Sequence, residues 1–474
     1  MPPNPESSPL SPEDLAFWYA DQPRQQTTMA LLMLLDRAPE PKRLRAAAAR
    51  AVEAVPRLRQ RVVDAPLGIA LPRWEDDPTF DLDFHVRRYS LAGDTGEQSD
   101  LEGLFHTIGP IYERPFDRSR PLWELIEIDH PHGSAIFFRL HHAVADGVGG
   151  NTILAALTDA DRQGEPLPPP PDKAPGGWDE PAATTRLATA VRDRLTQDAE
   201  RGRALAGAAW RTIREPGALL QAAEAVGSLL EDVAYRSPSP LTASGRARRL
   251  SGVEIDFEQL RQTRKALQGR MIDVLLTGVA SAMGEWHRQQ GHGKVEELLT
   301  LVPINLRPPE LQGVEAGIGN RTTGILVRLP IGRRRPVPRF REVRKRVEAR
   351  KRNASSELLP ELTGALAALP AALYRRLVYA SSQQIDLIVT NVPGIPIPRY
   401  VAGAEITSAY PYAPVAPQCP ISVALYGYRG RLFVGIDADA TAVPDLDPFR
   451  DMLERSFQEL VNSALGKAAK RADG

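Results

Sequence analysis

One stretch, Ser134-Ala-Ile-Phe-Phe-Arg-Leu-His-His-Ala-Val-Ala-Asp-Gly-Val-Gly-Gly150, restricts what this chain can fold into more than any other. It opens as a short apolar run rich in β-forming residues, the composition of a buried strand. It then breaks into a glycine-rich turn, beyond which apolar residues recur at helical spacing. The turn carries His141, His142, Asp146 and Gly147. Side chains alternate faces along a strand, so Ile136, Phe138, Leu140 and His142 share one face. His141 points the other way, with Phe137 and Arg139. Only one imidazole can face a given cleft. One histidine is therefore expected to serve chemistry and the other architecture.

At 474 residues the chain is long for a single core, and two sizeable domains are expected. Hydrophobic residues at 42% and charged residues at 25% indicate a globular chain rather than a disordered one. A formal net charge of zero gives no global field for nucleic acid. The one cysteine, Cys419, excludes an internal disulfide framework and points to a reducing interior. No basic stretch followed by an apolar segment marks a secretory signal, and no window reaches the roughly 18 apolar residues of a membrane span. A cytoplasmic location is expected, with peripheral contact at the inner membrane face or at lipid droplets left open.

Along the chain, strands are expected at Met29 to Leu35, Val86 to Tyr89 and Leu122 to Ile128, the last joined to the histidine strand by a hairpin-type turn. Residues 165 to 181 have linker composition, and a helical crossover follows. Strands resume near Val253, Leu298 to Ile304, Ile325 to Leu329, Ile385 to Val389 and around Tyr428-Arg-Gly430. Helices are expected from Ile272 to Met283 and at the C-terminus. The division that results is 1–164, 165–243 and 244–474, with an α/β (mixed) fold in both halves.

A neutral imidazole at a strand end suits general-base chemistry, because its reference pKa of about 6.5 lies near working pH. Taking the proton of a hydroxyl as it attacks a carbonyl is worth roughly a hundred- to ten-thousand-fold. No protein nucleophile is evident, so the carbonyl must arrive activated, and a thioester fits. Asp146 can accept a hydrogen bond or pair with an arginine to hold the turn. Gly147 either adopts positive φ or allows close approach. Taken singly, His141 and Asp146 read as fold-holding. No metal site is expected, since adjacent strand residues rarely converge on one ion. The glycines do not form a dinucleotide fingerprint, and no nucleophile elbow or phosphate loop is present. The His141-to-Asp146 spacing is also that of glycerophosphate acyltransferases, but their downstream Glu-Gly-Thr-Arg block is missing.

The ordered set of motifs resembles the bacterial wax ester synthase/acyl-CoA:diacylglycerol acyltransferase family, within the chloramphenicol acetyltransferase-like and condensation superfamily. Leu10-Ser-Pro-Glu-Asp14, Val55-Pro-Arg-Leu-Arg-Gln60, Pro121-Leu-Trp123 and His141-His-Ala-Val-Ala-Asp-Gly147 carry the likeness in the first half. Leu301-Val-Pro-Ile-Asn-Leu-Arg307, Gly319-Asn320, Asn391-Val-Pro-Gly394 and the tail from Asp437 to Asp447 carry it in the second. The resemblance implies two chloramphenicol acetyltransferase-like domains, each a mixed sheet flanked by helices, with a tunnel at their interface. Acyl-CoA enters as co-substrate and meets a fatty alcohol or diacylglycerol acceptor, with no other cofactor. It implies His142 as base and Asp146 as orienting residue, with Arg307 as the candidate partner of Asp146. Asn320 is implied to position substrate, Trp123 to line or support the site, and Asp273 and Asn391 to support it. One departure is Ile272-Asp273, where the family has Asn-Asp, so an amide is lost in a region that bears on acceptor choice.

The expected activity is therefore acyl-CoA-dependent O-acyl transfer to diacylglycerol or a long-chain alcohol, giving triacylglycerol or wax ester. Two other readings stay open: transfer to a natural-product acceptor or from a carrier-bound donor, and a non-catalytic lipid-droplet protein. The arginines from Arg333 to Arg352 read first as a solvated basic helix, with the phosphates of coenzyme A or an anionic membrane as the alternative contact. The apolar stretch from Leu362 to Tyr379 reads first as core packing, with an interfacial lipid-feeding helix as the alternative.

Overall fold

A computed structural model describes residues 7–22, 26–90, 100–130, 133–164, 182–214, 238–243, 245–305, 322–354, 383–416 and 419–472, with isolated residues 227, 231, 235 and 376. The linker expected at 165–181, Arg307, Asn320 and nearly all of Leu362 to Tyr379 lie outside these residues. Among the described residues, no helix is long and apolar enough to cross a membrane.

Among the described residues, the strands form two six-stranded mixed sheets and one small one. The small sheet joins β1 (Ser8–Pro9), β3 (Gln60–Val63) and β4 (Arg73–Asp76). The first large sheet contains β2 (Thr28–Leu35), β5 (Val86–Ser90), β6 (Trp123–His130) and β7 (Gly133–His141). Its order is β12-β13-β2-β7-β6-β5, with β12 (Tyr400–Val401) and β13 (Ala404–Tyr412) arriving from far along the chain. The second sheet takes β8 (Arg248–Asp256), β9 (Glu297–Asn305), β10 (Thr322–Pro330), β11 (Leu387–Val392), β14 (Ile421–Tyr428) and β15 (Arg431–Asp439). Its order is β10-β9-β11-β14-β15-β8.

Dividing the chain at residue 244 does not follow the sheets. β13 runs antiparallel to β2 from Ile406↔Leu35 to Tyr412↔Ala30, so a segment of the second half closes an edge of the first sheet. An unpaired edge strand exposes a row of backbone donors and acceptors. Here the second half covers it.

β7 is buried along nearly its whole length, on both faces. Alternation is therefore weak, and the run reads as continuously apolar. Arg139 lies in it, 1% exposed, because its guanidinium is paired with Glu124 on β6 at 2.7 Å and donates to the Arg114 carbonyl. In the second core, α8 (Met271–Gln289) presents Val274, Leu275, Val279 and Met283 to the sheet, and α10 (Asp447–Ala472) adds Phe449, Leu453, Phe457 and Leu460. The other α-helices among the described residues are α1 (Pro12–Ala20), α2 (Pro41–Ala54), α3 (Leu82–His85), α4 (Asp100–Tyr112), α5 (Gly147–Leu157), α6 (Ala183–Arg214), α7 (Phe257–Ala266) and α9 (Pro336–Ala354).

The halves meet through aromatic and polar contacts. Tyr410 of β13 packs edge-on against Phe433 of β15 and Phe105 of α4, at centroid distances of 5.2 and 5.5 Å. The Tyr428 hydroxyl donates to the Ile406 carbonyl at 3.0 Å. Close by, Asp437 of β15 is 1% exposed, with Arg248 Nε 3.6 Å from its Oδ1. Burial pushes this carboxyl up to about 6. An unfolded aspartate titrates near 3.9, so Asp437 favours the fold in its protonated form. Its stabilisation is complete below about pH 4 and is lost as pH rises through about 6. Asp437→Asn should therefore flatten the pH dependence of the melting temperature between pH 4 and 6. Thermal melts of both proteins across that range measure it, and parallel curves would exclude the effect.

Candidate active site

The turn after β7 is fixed from below by His141. This ring is 2% exposed, and both of its nitrogens are engaged. Nδ1 accepts from the Ala143 backbone N–H at 3.1 Å. The proton of the neutral ring therefore belongs on Nε2, which lies 2.8 Å from Thr27 Oγ1 and 3.5 Å from Asp21 Oδ2. The Thr27 hydroxyl in turn donates to the Phe17 carbonyl. Burial alone would raise the Asp21 carboxyl, but His141 and the Arg118 guanidinium outweigh it and hold Asp21 below the ordinary carboxylate range. Arg118 sits 2.7 Å from Asp21 and lies over the Trp18 ring. The His141 ring is thus held between the turn that follows it and the segment after α1.

His142 follows the last residue of β7 and stands in the turn, half-buried. Its backbone N–H donates to the Thr27 carbonyl at 2.7 Å, and its ring stacks on Phe17 at 3.8 Å between centroids and 17° between planes. Phe17 comes from α1, whose start is set by Ser11, its side chain accepting from the Asp14 N–H at 3.0 Å. The helix that presents Phe17 to one histidine thus runs into the Asp21 and Thr27 segment that holds the other.

Asp146 is the N-cap of α5. Its Oδ1 accepts from the backbone N–H groups of Val148 and Gly149 at 3.1 and 2.9 Å, and it is 1% exposed. Such a cap is typically worth about 1 kcal/mol to the helix. Here it also fixes the angle at which the turn leaves the sheet. Gly147 does not have positive φ. It is needed for space: a Cβ there would lie 2.7 Å from Val392 Cγ2. Of the two roles foreseen for this glycine, close approach is the one the geometry requires.

Val392 ends β11 and belongs to Asn391-Val-Pro-Gly394, so the two motif-bearing segments touch. Asn151 of α5 donates to the Pro393 carbonyl and accepts from the Tyr426 hydroxyl at 3.0 Å. Gly394 lies against the backbone of Gly427, with no room for any side chain. Arg399 holds the far end of α5 through Thr158 Oγ1 at 2.9 Å and the Ala155 carbonyl at 3.0 Å. On the other side of β11, the pairing with β9 is brief. It is limited to Leu387↔Thr300 and Ile388↔Leu301, whereas β11 and β14 stay paired to Val392↔Tyr426. Beyond Ile388 the strands β9 and β11 part, and the second sheet opens at the end that faces the histidine turn.

The other expected site residues fall in different places. Trp123 is core: it is 1% exposed, donates from Nε1 to the Leu58 carbonyl at 2.6 Å and stacks on His85 at 4.6 Å. These contacts brace the start of β6. Asn391 is exposed at the end of β11. Asp273 is buried in the first turn of α8, where Oδ2 accepts from the Arg270 N–H at 2.8 Å. Its Oδ1 has no partner among the described residues, and burial raises its pKa. Asp21, Thr27 and Phe17 escape the sequence reading because more than a hundred residues separate them from the histidines. The helix-start signal at Ser11 is legible, but not its destination. Among the described residues, no group of three or more His, Cys, Asp or Glu side chains is placed to hold a metal ion.

Two mixed sheets flanked by helices, joined at a histidine turn, define a class. A wax ester synthase/diacylglycerol acyltransferase from Marinobacter aquaeolei VT8 matches over 96% of this chain and 100% of its own, with a TM-score of 0.61 and 19% identity. The first condensation domain of the calcium-dependent antibiotic synthetase matches over 97% and 96%, with a TM-score of 0.61 and 16% identity. The fold is thus that of the two-domain, chloramphenicol acetyltransferase-like proteins.

Sequence comparison narrows this further. The wax ester synthase/diacylglycerol acyltransferase catalytic domain matches residues 10–275, and the C-terminal domain of the same family matches 318–461. A Mycobacterium tuberculosis protein named as a diacylglycerol O-acyltransferase is 31% identical over 98% of this chain and 94% of its own length. Another from the same species, named likewise, is 26% identical over 97% of each. The chain belongs to the wax ester synthase/diacylglycerol acyltransferase family, and it is an acyltransferase.

The contact between Gly147 and Val392 can be tested directly. Gly147→Ala should destabilise the protein by about 1–3 kcal/mol through overpacking and lower acyl transfer. Adding Val392→Ala to it should recover much of both losses. Melting temperatures and rates of the two single variants and the double variant measure the coupling, and additive losses would exclude it.

Proposed function

We propose that this protein transfers a long acyl chain from coenzyme A to the hydroxyl of a lipid alcohol, diacylglycerol or a long-chain fatty alcohol, with His142 as the general base. The observation that carries this reading is the place of His142, just past the strand end and half-buried against the Phe17 ring, next to a His141 whose ring nitrogens meet Ala143 and Thr27. The names of the family and of the relatives support the acceptor class, and an activated thioester of coenzyme A is the donor this reading adds.

In the reaction, a His142 nitrogen takes the acceptor's hydroxyl proton while the oxygen attacks the thioester carbonyl. The tetrahedral intermediate collapses with cleavage of the carbon–sulfur bond. The imidazolium returns its proton to the departing coenzyme A thiolate, so the products are an ester and a free thiol. No metal or redox cofactor enters this scheme. Asp146 orients the turn, and the stacked Phe17 ring limits rotation of the base. Arg307 as the partner of Asp146 and Asn320 as a donor to the developing oxyanion complete the proposed site, with Asn391 and Asp273 in supporting roles. A tunnel between the halves, reaching the turn through the opening between β9 and β11, would bring the two substrates together. Peripheral contact with a membrane or lipid droplet would supply the acceptor.

Thiol release from palmitoyl-CoA, with diacylglycerol and hexadecanol offered in parallel, tests the scheme. The wild type should release thiol with at least one acceptor, and His142→Ala should be slower by about a hundredfold or more while keeping its melting temperature. His141→Ala should instead lose stability. Undiminished turnover by His142→Ala would remove the base from the mechanism. Absence of thiol release with any alcohol would favour a carrier-bound donor or a non-catalytic role.

A further inference from the structure

A second concentration of charge lies far from the histidine turn. Arg288 near the end of α8, Arg333, Arg334 and Arg335 before α9, and Arg339 in its first turns line a shallow, open-sided cavity of about 480 Å³. That volume falls within the range of ligand pockets, about 300–1,000 Å³. Arg333, Arg334 and Arg335 are exposed and by themselves would read as a solvated basic face. Arg339 is different. It is 2% exposed, and its guanidinium donates to the carbonyls of Gly332 at 2.7 Å and of Pro330. Its Nε has no partner among the described residues. Burial, with the charges of Arg288 and Arg334, lowers its pKa to about 10. The acid nearest in effect is Glu296, which is exposed. Glu342, which also feels Arg334, is already paired with Arg346 at 2.7 Å.

Five guanidiniums around one cavity, with the single carboxylate of Glu296 beside Gly332 at its edge, leave an excess of positive charge that an anion would offset. The start of α9 adds the positive end of a helix dipole. Pro336 and Pro338 remove two of its backbone donors, which leaves the guanidiniums as the hydrogen-bonding groups. Planar, multidentate donors of this kind suit phosphate oxygens.

The register separates this cavity from the catalytic turn. β10 starts at Thr322 opposite Asn305 and ends at Pro330 opposite Glu297, and the arginines follow Pro330. Val392, which touches Gly147, lies at the other end of the sheet, because Leu387 pairs with Thr300 and β11 runs parallel to β9. The two levels differ by roughly 25 Å at the usual strand rise.

We propose that the cavity walled by Arg288, Arg333, Arg334, Arg335 and Arg339 is a binding site for a phosphate-bearing anion, separate from the acyl-transfer site. The phosphate can belong to an anionic phospholipid headgroup or to a soluble phosphate ester, and the two sources are separable by experiment. The site is read by binding alone, so its test does not depend on the proposed acyl transfer.

The test uses the full chain, a triple variant Arg333→Ala, Arg334→Ala, Arg335→Ala, and a charge-matched control, Arg192→Ala, Arg246→Ala, Arg249→Ala. The substituted residues are exposed in both, so both variants should fold. Inorganic pyrophosphate is titrated by calorimetry, and co-sedimentation compares phosphatidylcholine vesicles with and without phosphatidylglycerol. The wild type and the control should bind pyrophosphate saturably, and the site variant about tenfold more weakly, the loss expected for removing charge-assisted contacts. Retention on phosphatidylglycerol vesicles, released by pyrophosphate and lost in the site variant alone, would identify a lipid headgroup as the source. Pyrophosphate binding without vesicle retention would identify a soluble phosphate. Equal behaviour of the site variant and the control, or no binding of either probe by the wild type, overturns the proposal.

Discussion

The saturation of His141 is the interaction on which the site is built. A buried imidazole must find partners for both nitrogens or bear a desolvation cost. This one finds them in the Ala143 N–H and the Thr27 hydroxyl. The first bond curls the backbone just past the strand, and the second ties the strand end to the loop after α1. Asp21, held by Arg118, backs the same ring. With His141 so fixed, the next residue has little freedom, and Phe17 meets its face. The bonds of His141 thereby constrain the placement of its neighbour.

The second constraint is contact between halves that are distant in sequence. Gly147 and Val392 approach too closely for a further methyl group. Asn151 reaches the Pro393 carbonyl and the Tyr426 hydroxyl. β13 leaves the second half to pair with β2. The histidine turn is therefore not the property of either half. Its position depends on both cores and on the strand that passes between them, while the short pairing of β9 with β11 leaves the second sheet open on that side.

Much of this is legible along the chain. The apolar run to Leu140 forms a buried strand, and the glycine-rich segment behind it becomes the start of α5. The strands near Met29, Leu298, Ile325 and Leu432 and the helices from Met271 and Asp447 lie where periodicity places them. β13 is less legible, because in Ala404–Tyr412 alanine, serine and proline interrupt the β-formers Ile406, Thr407, Tyr410 and Tyr412, and its pairing with β2 joins residues more than 350 apart. Trp123 is open to two readings in the sequence, and the hydrogen bond to Leu58 with the stack on His85 places it in the core. A boundary drawn at 244 misses the exchange of β13 for the same reason: strand exchange leaves no local trace.

By itself the sequence determined which chemistry is available: two adjacent imidazoles, a carboxylate four residues on, and glycine where the chain must turn. It also determined the local elements that carry them, since apolar periodicity and capping are properties of neighbouring residues. Only the tertiary structure decided which groups meet each imidazole and what the glycine is for. Those outcomes rest on Thr27, Asp21, Phe17 and Val392, whose approach depends on strand register and sheet packing, and spacing along the chain does not encode either.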